Sequence, residues 1–293
     1  MHSIILRGRP IANRLIVASC ISALIFVVYW FLAQLPISNE LGLTVNEASK
    51  TTHAVKENTK QHGKQALPRK HFQEATFDVH YDARFGKAPL SYQDRRTHLS
   101  ALIQTYFSFV NEIGIETWIM HGSLLGWFWN RRILPWDHDL DVQVLEDDMQ
   151  LLAGHYNMTL YPPSKAGVQR KSTFLLEINP NWVNPDAADL GNKIDARWLD
   201  TEVGLYIDIT VLRQDVREES KDTDGGMMCK DGHRYKRGDI FPLQNTTFEG
   251  VNARVPFAYS SVLAKEYGIR SLSDRVYENH HFDTAKNEWV RNS

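Results

Sequence analysis

Asp139 and Asp141 are the residues whose type and spacing best suit chemistry. The stretch Asp139-Leu-Asp-Val-Gln-Val144 alternates with period two, so an extended strand puts Asp139, Asp141 and Gln143 on one face and sends Leu140, Val142 and Val144 into a core. Two carboxylates about 7 Å apart on one strand face can bracket a divalent cation. An isolated Asp-x-Asp also decorates strand surfaces that bind nothing, so a second feature is needed. It lies upstream, where Gly122 and Ser123 directly follow the apolar, strand-like run Ile115 to Met120. There the backbone must turn sharply, and a glycine lets it approach a phosphate closely. Arg131 and Arg132 are the nearest cations in sequence, and their planar forks could hold a diphosphate or equally pair with Asp147 and Asp148.

A third acid comes from a second alternating stretch. In Gly204-Leu-Tyr-Ile-Asp-Ile-Thr-Val211 the residues Leu205, Ile207, Ile209 and Val211 share one face, and Tyr206, Asp208 and Thr210 the other. Taken alone, this is a half-exposed strand with its polar face in water. Asp195, at the start of another short strand, is the competing third carboxylate, and Asp200 has the composition of a turn residue.

His121-Gly-Ser-Leu-Leu-Gly-Trp127 followed by Pro135-Trp-Asp-His-Asp-Leu-Asp141 resembles the LicD/fukutin family of nucleotidyltransferase-fold phosphotransferases, over about residues 80–267. Within that family the chain is most similar to fungal membrane-anchored members linked to mannosylphosphate transfer. Residues 124–138 separate Ser123 from Asp139, slightly more than the generic nucleotidyltransferase pattern and in keeping with the LicD group; Asp137 can also be read as the first carboxylate. The resemblance implies an α/β (α+β) fold, a nucleotidyltransferase-like mixed sheet flanked by helices. It implies that Asp139, Asp141 and Asp208 hold one or two Mg2+ or Mn2+ ions and that Gly122, Ser123, Arg131 and Arg132 receive the phosphates of a GDP- or CDP-linked donor. His121 or Asp137 would accept the proton of a glycan hydroxyl, giving a phosphodiester. The transferred group is phosphocholine in LicD-like relatives, ribitol phosphate in fukutin-like ones, and mannose phosphate in the fungal branch. The same branch admits a non-catalytic Golgi regulator or scaffold of a separate mannosylphosphate transferase, and a membrane-tethered glycan-binding domain would use the tryptophans without the acids.

Other elements must position these residues. Leu99, Leu102, Ile103, Tyr106, Phe107, Val110 and Ile113 recur at helical spacing from Thr97, and Gly114 stops the helix just before the Ile115 run. Glu146-Asp147-Asp148 suits a helix N-terminus. Thr173 to Ile178 and Lys193 to Leu199 read as short strands, and Ser260 to Tyr267 as a helix ended by Gly268. Asp82 and Arg84 read as a surface pair. Cys229-Lys-Asp-Gly-His-Arg-Tyr-Lys-Arg237 is a basic loop whose Lys230, Arg234, Lys236 and Arg237 could neutralise a diphosphate or simply face solvent. Cys229 reads as a free thiol; the alternative, a Cys-x3-His metal pair with His233, finds no third or fourth ligand in the sequence. Trp127, Trp129 and Trp136, between the Gly-Ser corner and the acids, suit either core packing or stacking on a sugar or base.

Composition sets the outer limits. With 293 residues, 43% hydrophobic, 23% charged and a net charge of −2, the chain can bury one good core, and no basic surface for nucleic acid is indicated. Residues 15–35 are twenty-one consecutive uncharged residues, about 31 Å of helix, ending in Tyr29, Trp30 and Phe31 near an interface. Arg7, Arg9 and Arg14 precede them and Lys50 is the next basic residue, which predicts a single-pass type II anchor with a cytosolic tail (1–14) and a lumenal body; the resemblance implies that the membrane is that of the Golgi or ER. Residues 36–75 read as a flexible stem and 76–293 as the catalytic domain. Lumenal placement makes Asn157 and Asn245 glycosylation acceptors by motif. Cys20, inside the span, cannot pair with Cys229.

Overall fold

The computed structural model describes residues 69–169, 171–215 and 225–292. The anticipated span at 15–35, with Cys20, lies outside them; among the described residues no helix is long and apolar enough to cross a membrane. The fold begins before the boundary set from composition, because Phe72 and Ala75 are already buried.

Helix α1 (Tyr92–Ile113) starts one turn earlier than its apolar periodicity indicates, because Ser91 caps it by accepting from the Asp94 N–H. It ends at Gly114, whose φ of 76° is the left-handed conformation that favours glycine. Its face of Leu99, Leu102, Ile103, Tyr106 and Val110 is buried. After β1 (Thr117–Ile119) come α2 (His121–Asn130), β2 (Asp141–Leu145) and α3 (Glu146–His155), whose first turn carries the three acids. Strands β3 (Thr159–Tyr161), β4 (Phe174–Ile178), β5 (Ala196–Asp200), β6 (Tyr206–Gln214), β7 (Gly226–Met228) and β8 (Arg234–Lys236) follow.

These eight strands form one mixed sheet in the order β1-β2-β6-β5-β4-β3, with β7 bridging β6 and β8. The β2–β6 pair is parallel, while the neighbouring pairs β1–β2 and β5–β6 are antiparallel. Leu140, Val142, Val144, Leu205, Ile207, Ile209 and Val211 are all fully buried, as the alternation predicts. Across from them Trp198 on β5 stacks on Phe109 of α1 at 4.9 Å and donates its indole N–H to Thr105 Oγ1 at 3.1 Å. The chain continues through the hairpin β9 (Gln244–Phe248) and β10 (Val251–Val255), then α4 (Tyr259–Tyr267), and ends in a three-stranded sheet of β11 (Val276–Tyr277), β12 (His280–Asp283) and β13 (Glu288–Arg291).

Three local expectations change. Strand β2 begins at Asp141, so Asp139 sits in the approach to the strand rather than within it. Asp200 is no turn residue: it closes β5, is fully buried, and pairs with His98 Nδ1 at 2.6 Å. Asp82 is likewise buried, held by a two-pronged pair with Arg84 at 2.9 Å on each prong.

Candidate functional site

The parallel pairing of β2 with β6 places Asp141 opposite Asp208 in register, so both side chains leave the same face of the sheet. The Asp208 N–H donates to Leu140 O at 2.8 Å, and Met120 N–H to Asp141 O at 3.1 Å, which locks the acids to the end of β1. There the chain turns a corner: Met120 is extended, His121 has a φ of 52°, and α2 starts at once. Gly122 and Ser123 therefore occupy the first helical turn rather than a loop. Ser123 is 1% exposed, and its hydroxyl accepts from the Asp141 N–H at 3.0 Å, so it pins the start of β2. A Cβ at position 122 would lie 2.7 Å from Asp137 Oδ2, so a larger residue there would push that carboxylate aside.

Asp137, Asp139, Asp141 and Asp208 repel one another. Burial, then the charge of Asp139, holds Asp137 well above the usual carboxylate range. Burial does the same to Asp141, with Asp139, Asp208, Asp137 and Glu266 adding to it. Burial raises Asp208 as well, against the pull of Arg197, whose Nε donates to Asp208 Oδ1 at 2.8 Å. That bond uses one of the two Asp208 oxygens. On the approach side His80 stands with Nε2 3.8 Å from Asp139 Oδ2 and its Nδ1 2.8 Å from Asp78, its ring edge-on to His138 at 5.5 Å.

Asp137, Asp139 and Asp141 open into a cavity of about 920 Å³ lined also by Gly122, Trp136 and Arg270, among others; Asp208 stands beside Asp141 in register without lining it. Trp129 and Trp136 reach its wall, where Trp289 packs against both at 4.9 Å. Trp127 does not: its indole donates to Thr246 and its ring carries the Arg131 guanidinium at 3.9 Å. Neither Arg131 nor Arg132 lines the cavity; the arginine that does is Arg270, from the turn after α4. A smaller cavity of about 530 Å³ between α1 and the β9–β10 hairpin has no carboxylate in its wall.

A divalent cation fits the acids. Asp137 Oδ2 is buried with no partner, and the charges crowding Asp141 are what an oxygen-liganded ion relieves. This agrees with the Mg2+ or Mn2+ expected from the sequence without choosing between them.

Several anticipated residues point elsewhere. His121 turns its Nδ1 to Glu266 Oε1 at 2.5 Å and its Nε2 toward Asp231 at 3.7 Å. Lys230 is fully buried, donating to Asn181 O at 2.9 Å beside Asp189, so it is not available to a diphosphate. Cys229 is buried and accepts from Gln143 Nε2. Asp195 is remote from the cluster by bonding: one oxygen accepts from Val211 N–H at 2.8 Å and the other has no partner.

Burial pushes Asp195 up to about 7, outweighing the attraction of Arg213 and Lys230. With the folded value above the ordinary one, its stabilising protonated form is complete below about pH 4, and that contribution is lost as pH rises through about 7. Asp195→Asn should remove that slope, which is at most about 1.4 kcal/mol per pH unit. Urea midpoints compared at about pH 5.5 and pH 7.5 should differ less in the variant than in the parent; an undiminished difference contradicts the buried neutral acid.

His80, Arg270 and Trp289 were missed because nothing local in sequence ties them to the acids; His80 and Arg270 lie 59 and 131 residues from Asp139 in numbering, on other elements. Comparison with known proteins gives a matching picture. Residues 114–258 match the family model described as LicD/FKTN/FKRP, nucleotidyltransferase domain. Mannosyltransferase regulator 4 of Saccharomyces cerevisiae is 32% identical over 157 residues, covering 50% of this chain and 13% of that protein. Mannosyltransferase regulator 14 of the same organism is 32% identical over 158 residues, covering 50% of this chain and 17% of its own length. The chain thus spans only a small part of either relative. With the corner before α2, the acids of β2 and β6 and the mixed sheet all inside the matched segment, residues 114–258 belong to the LicD/FKTN/FKRP nucleotidyltransferase domain family.

Proposed function

We propose that this protein transfers a phosphorylated head group, such as mannose phosphate, from a nucleotide-activated donor to a glycan hydroxyl. The observation that carries the reading is the convergence of Asp137, Asp139 and Asp141 at one cavity, with Asp208 in register beside Asp141, raised carboxyl groups and an orphaned oxygen. Asp139, Asp141 and Asp208 would hold Mg2+ or Mn2+, which when bound offsets charge on a diphosphate. Arg270 faces the same cavity and suits the departing phosphate. The acceptor oxygen bonds to phosphorus as the bond to the nucleoside monophosphate breaks, giving a phosphodiester. Asp137, whose proton affinity burial has raised, takes the hydroxyl proton. The apolar span 15–35 and the arginines before it support a membrane anchor with this domain lumenal, and the family likeness supports the Golgi or ER as that membrane.

The names of the yeast relatives favour a second reading, a regulator of a separate mannosyltransferase that does no chemistry itself. One assay separates the two. The purified full chain is incubated with GDP- and CDP-linked donors and a mannan acceptor, and nucleoside monophosphate release is followed with and without Mn2+. Release with one donor, dependent on metal, is the expected result. No release from any donor, with the protein folded, favours the regulator.

A further inference from the structure

Beside the acidic cavity lies a second cluster, drawn from three elements. His121 opens α2, His233 sits in the turn between β7 and β8, and Glu266 is in the last turn of α4. The two imidazole rings are 4.6 Å apart between centroids, and Glu266 Oε1 is 2.5 Å from His121 Nδ1 and 3.9 Å from His233 Nε2. Behind both rings stands Asp231. Its Oδ1 is 3.1 Å from His233 Nδ1 and its Oδ2 3.7 Å from His121 Nε2, and the His233 backbone N–H fixes it at 2.9 Å. A carboxylate on the far nitrogen is how ligating histidines are commonly oriented, and here one carboxylate serves two rings.

The cluster sets two carboxylates against two imidazoles, and charging both rings to balance them would place two imidazolium ions at that short separation, where they repel. With fewer protons the cluster keeps net negative charge, and Glu266 Oε2 is buried with no partner. A cation answers both. Tetrahedral bonds of about 2.0–2.1 Å set ligand atoms roughly 3.3 Å apart; the two Glu266 distances straddle that value, and the three ligand atoms all lie within 4.8 Å of one another.

We propose that His121, His233 and Glu266 hold a zinc ion, with Asp231 orienting both histidines, at a site separate from the Asp139, Asp141 and Asp208 cluster. Two imidazoles and a carboxylate are a zinc set, whereas the all-carboxylate cluster suits Mg2+ or Mn2+. Glu266 lies outside the family match of 114–258, and His121 adjoins Gly122 in the cavity wall. The ion would staple α4, whose next residue Tyr267 also lines the cavity, to the first turn of α2. This site does not depend on the proposed transferase activity.

The test is the metal content of the full chain, purified without chelator. About one zinc per chain is expected, kept in the Asp139→Asn/Asp141→Asn double variant and lost in His233→Ala and Glu266→Gln. His233→Cys guards against misfolding as the cause of loss: with Co2+ in place of zinc it should gain a near-ultraviolet sulfur-to-cobalt absorption that the parent lacks, since the buried Cys229 thiol is held by Gln143 Nε2. A chain that purifies and is titrated without binding zinc overturns the proposal. So does zinc that leaves with the Asp139/Asp141 pair but stays in Glu266→Gln, or a His233→Cys protein with no new cobalt band.

Discussion

Asp141→Asn should lower donor turnover by about 100-fold or more, the scale of losing one key electrostatic group, while leaving the fold intact. Asp141 is crowded by negative charge, with Asp139, Asp208, Asp137 and Glu266 all acting on it. The amide keeps the side chain's shape, and the backbone bond to Ser123 does not involve the carboxylate. Removing one of the repelling charges should leave the folded state equally or more stable without metal. Calorimetry with Mn2+ should show weaker ion binding in Asp141→Asn and none in the Asp139→Asn/Asp141→Asn double variant. Unchanged affinity would mean that the acids serve the sheet and not a cation.

Gly204→Ala should be the most damaging of the small substitutions, costing about 3 kcal/mol or more in denaturant titrations. Gly204 has a φ of 83°, strained for any side chain, and an added Cβ would lie 2.4 Å from the Gly86 backbone nitrogen and 3.0 Å from Asp82 O. Both neighbours are backbone and cannot swing aside. The contact ties the turn between β5 and β6 to the segment 72–86, since Asp82 N–H also donates to Gly204 O at 2.8 Å. His80 belongs to that segment, so partial accommodation should also displace it from Asp139. A variant as stable as the parent would show that the two segments are not locked together.

The sequence revealed what depends on alternation. Leu140, Val142 and Val144, and Leu205 through Val211 at every second position, are apolar because one sheet face is buried, and the two strands carrying Asp141 and Asp208 followed directly. The corner at Gly122 and Ser123 was visible too, but its reasons were not. Gly122 is small because Asp137 folds back over it, and Ser123 is polar because it holds Asp141; both partners arrive from later in the chain. Proximity in sequence does not identify the cations of the cavity. Arg131 caps the end of α2 and stacks back on Trp127, whereas Arg270 reaches the cavity from the turn after α4. Periodicity reports which face of an element is buried. It does not report which loop closes over the other face.

The central claim is that these carboxylates perform chemistry, and Asp208 tests it most directly. It pairs with Arg197, stands beside Asp141 in register, and would be needed by a catalytic site but not by a regulator acting through another protein. The measurement is phosphodiester on cell-surface glycans in cells whose own copy is replaced by Asp208→Asn or by Asp195→Asn, at matched protein level. Loss of the phosphodiester with Asp208→Asn and its retention with Asp195→Asn is the expected result; full phosphodiester with Asp208→Asn, from folded protein, would contradict the account.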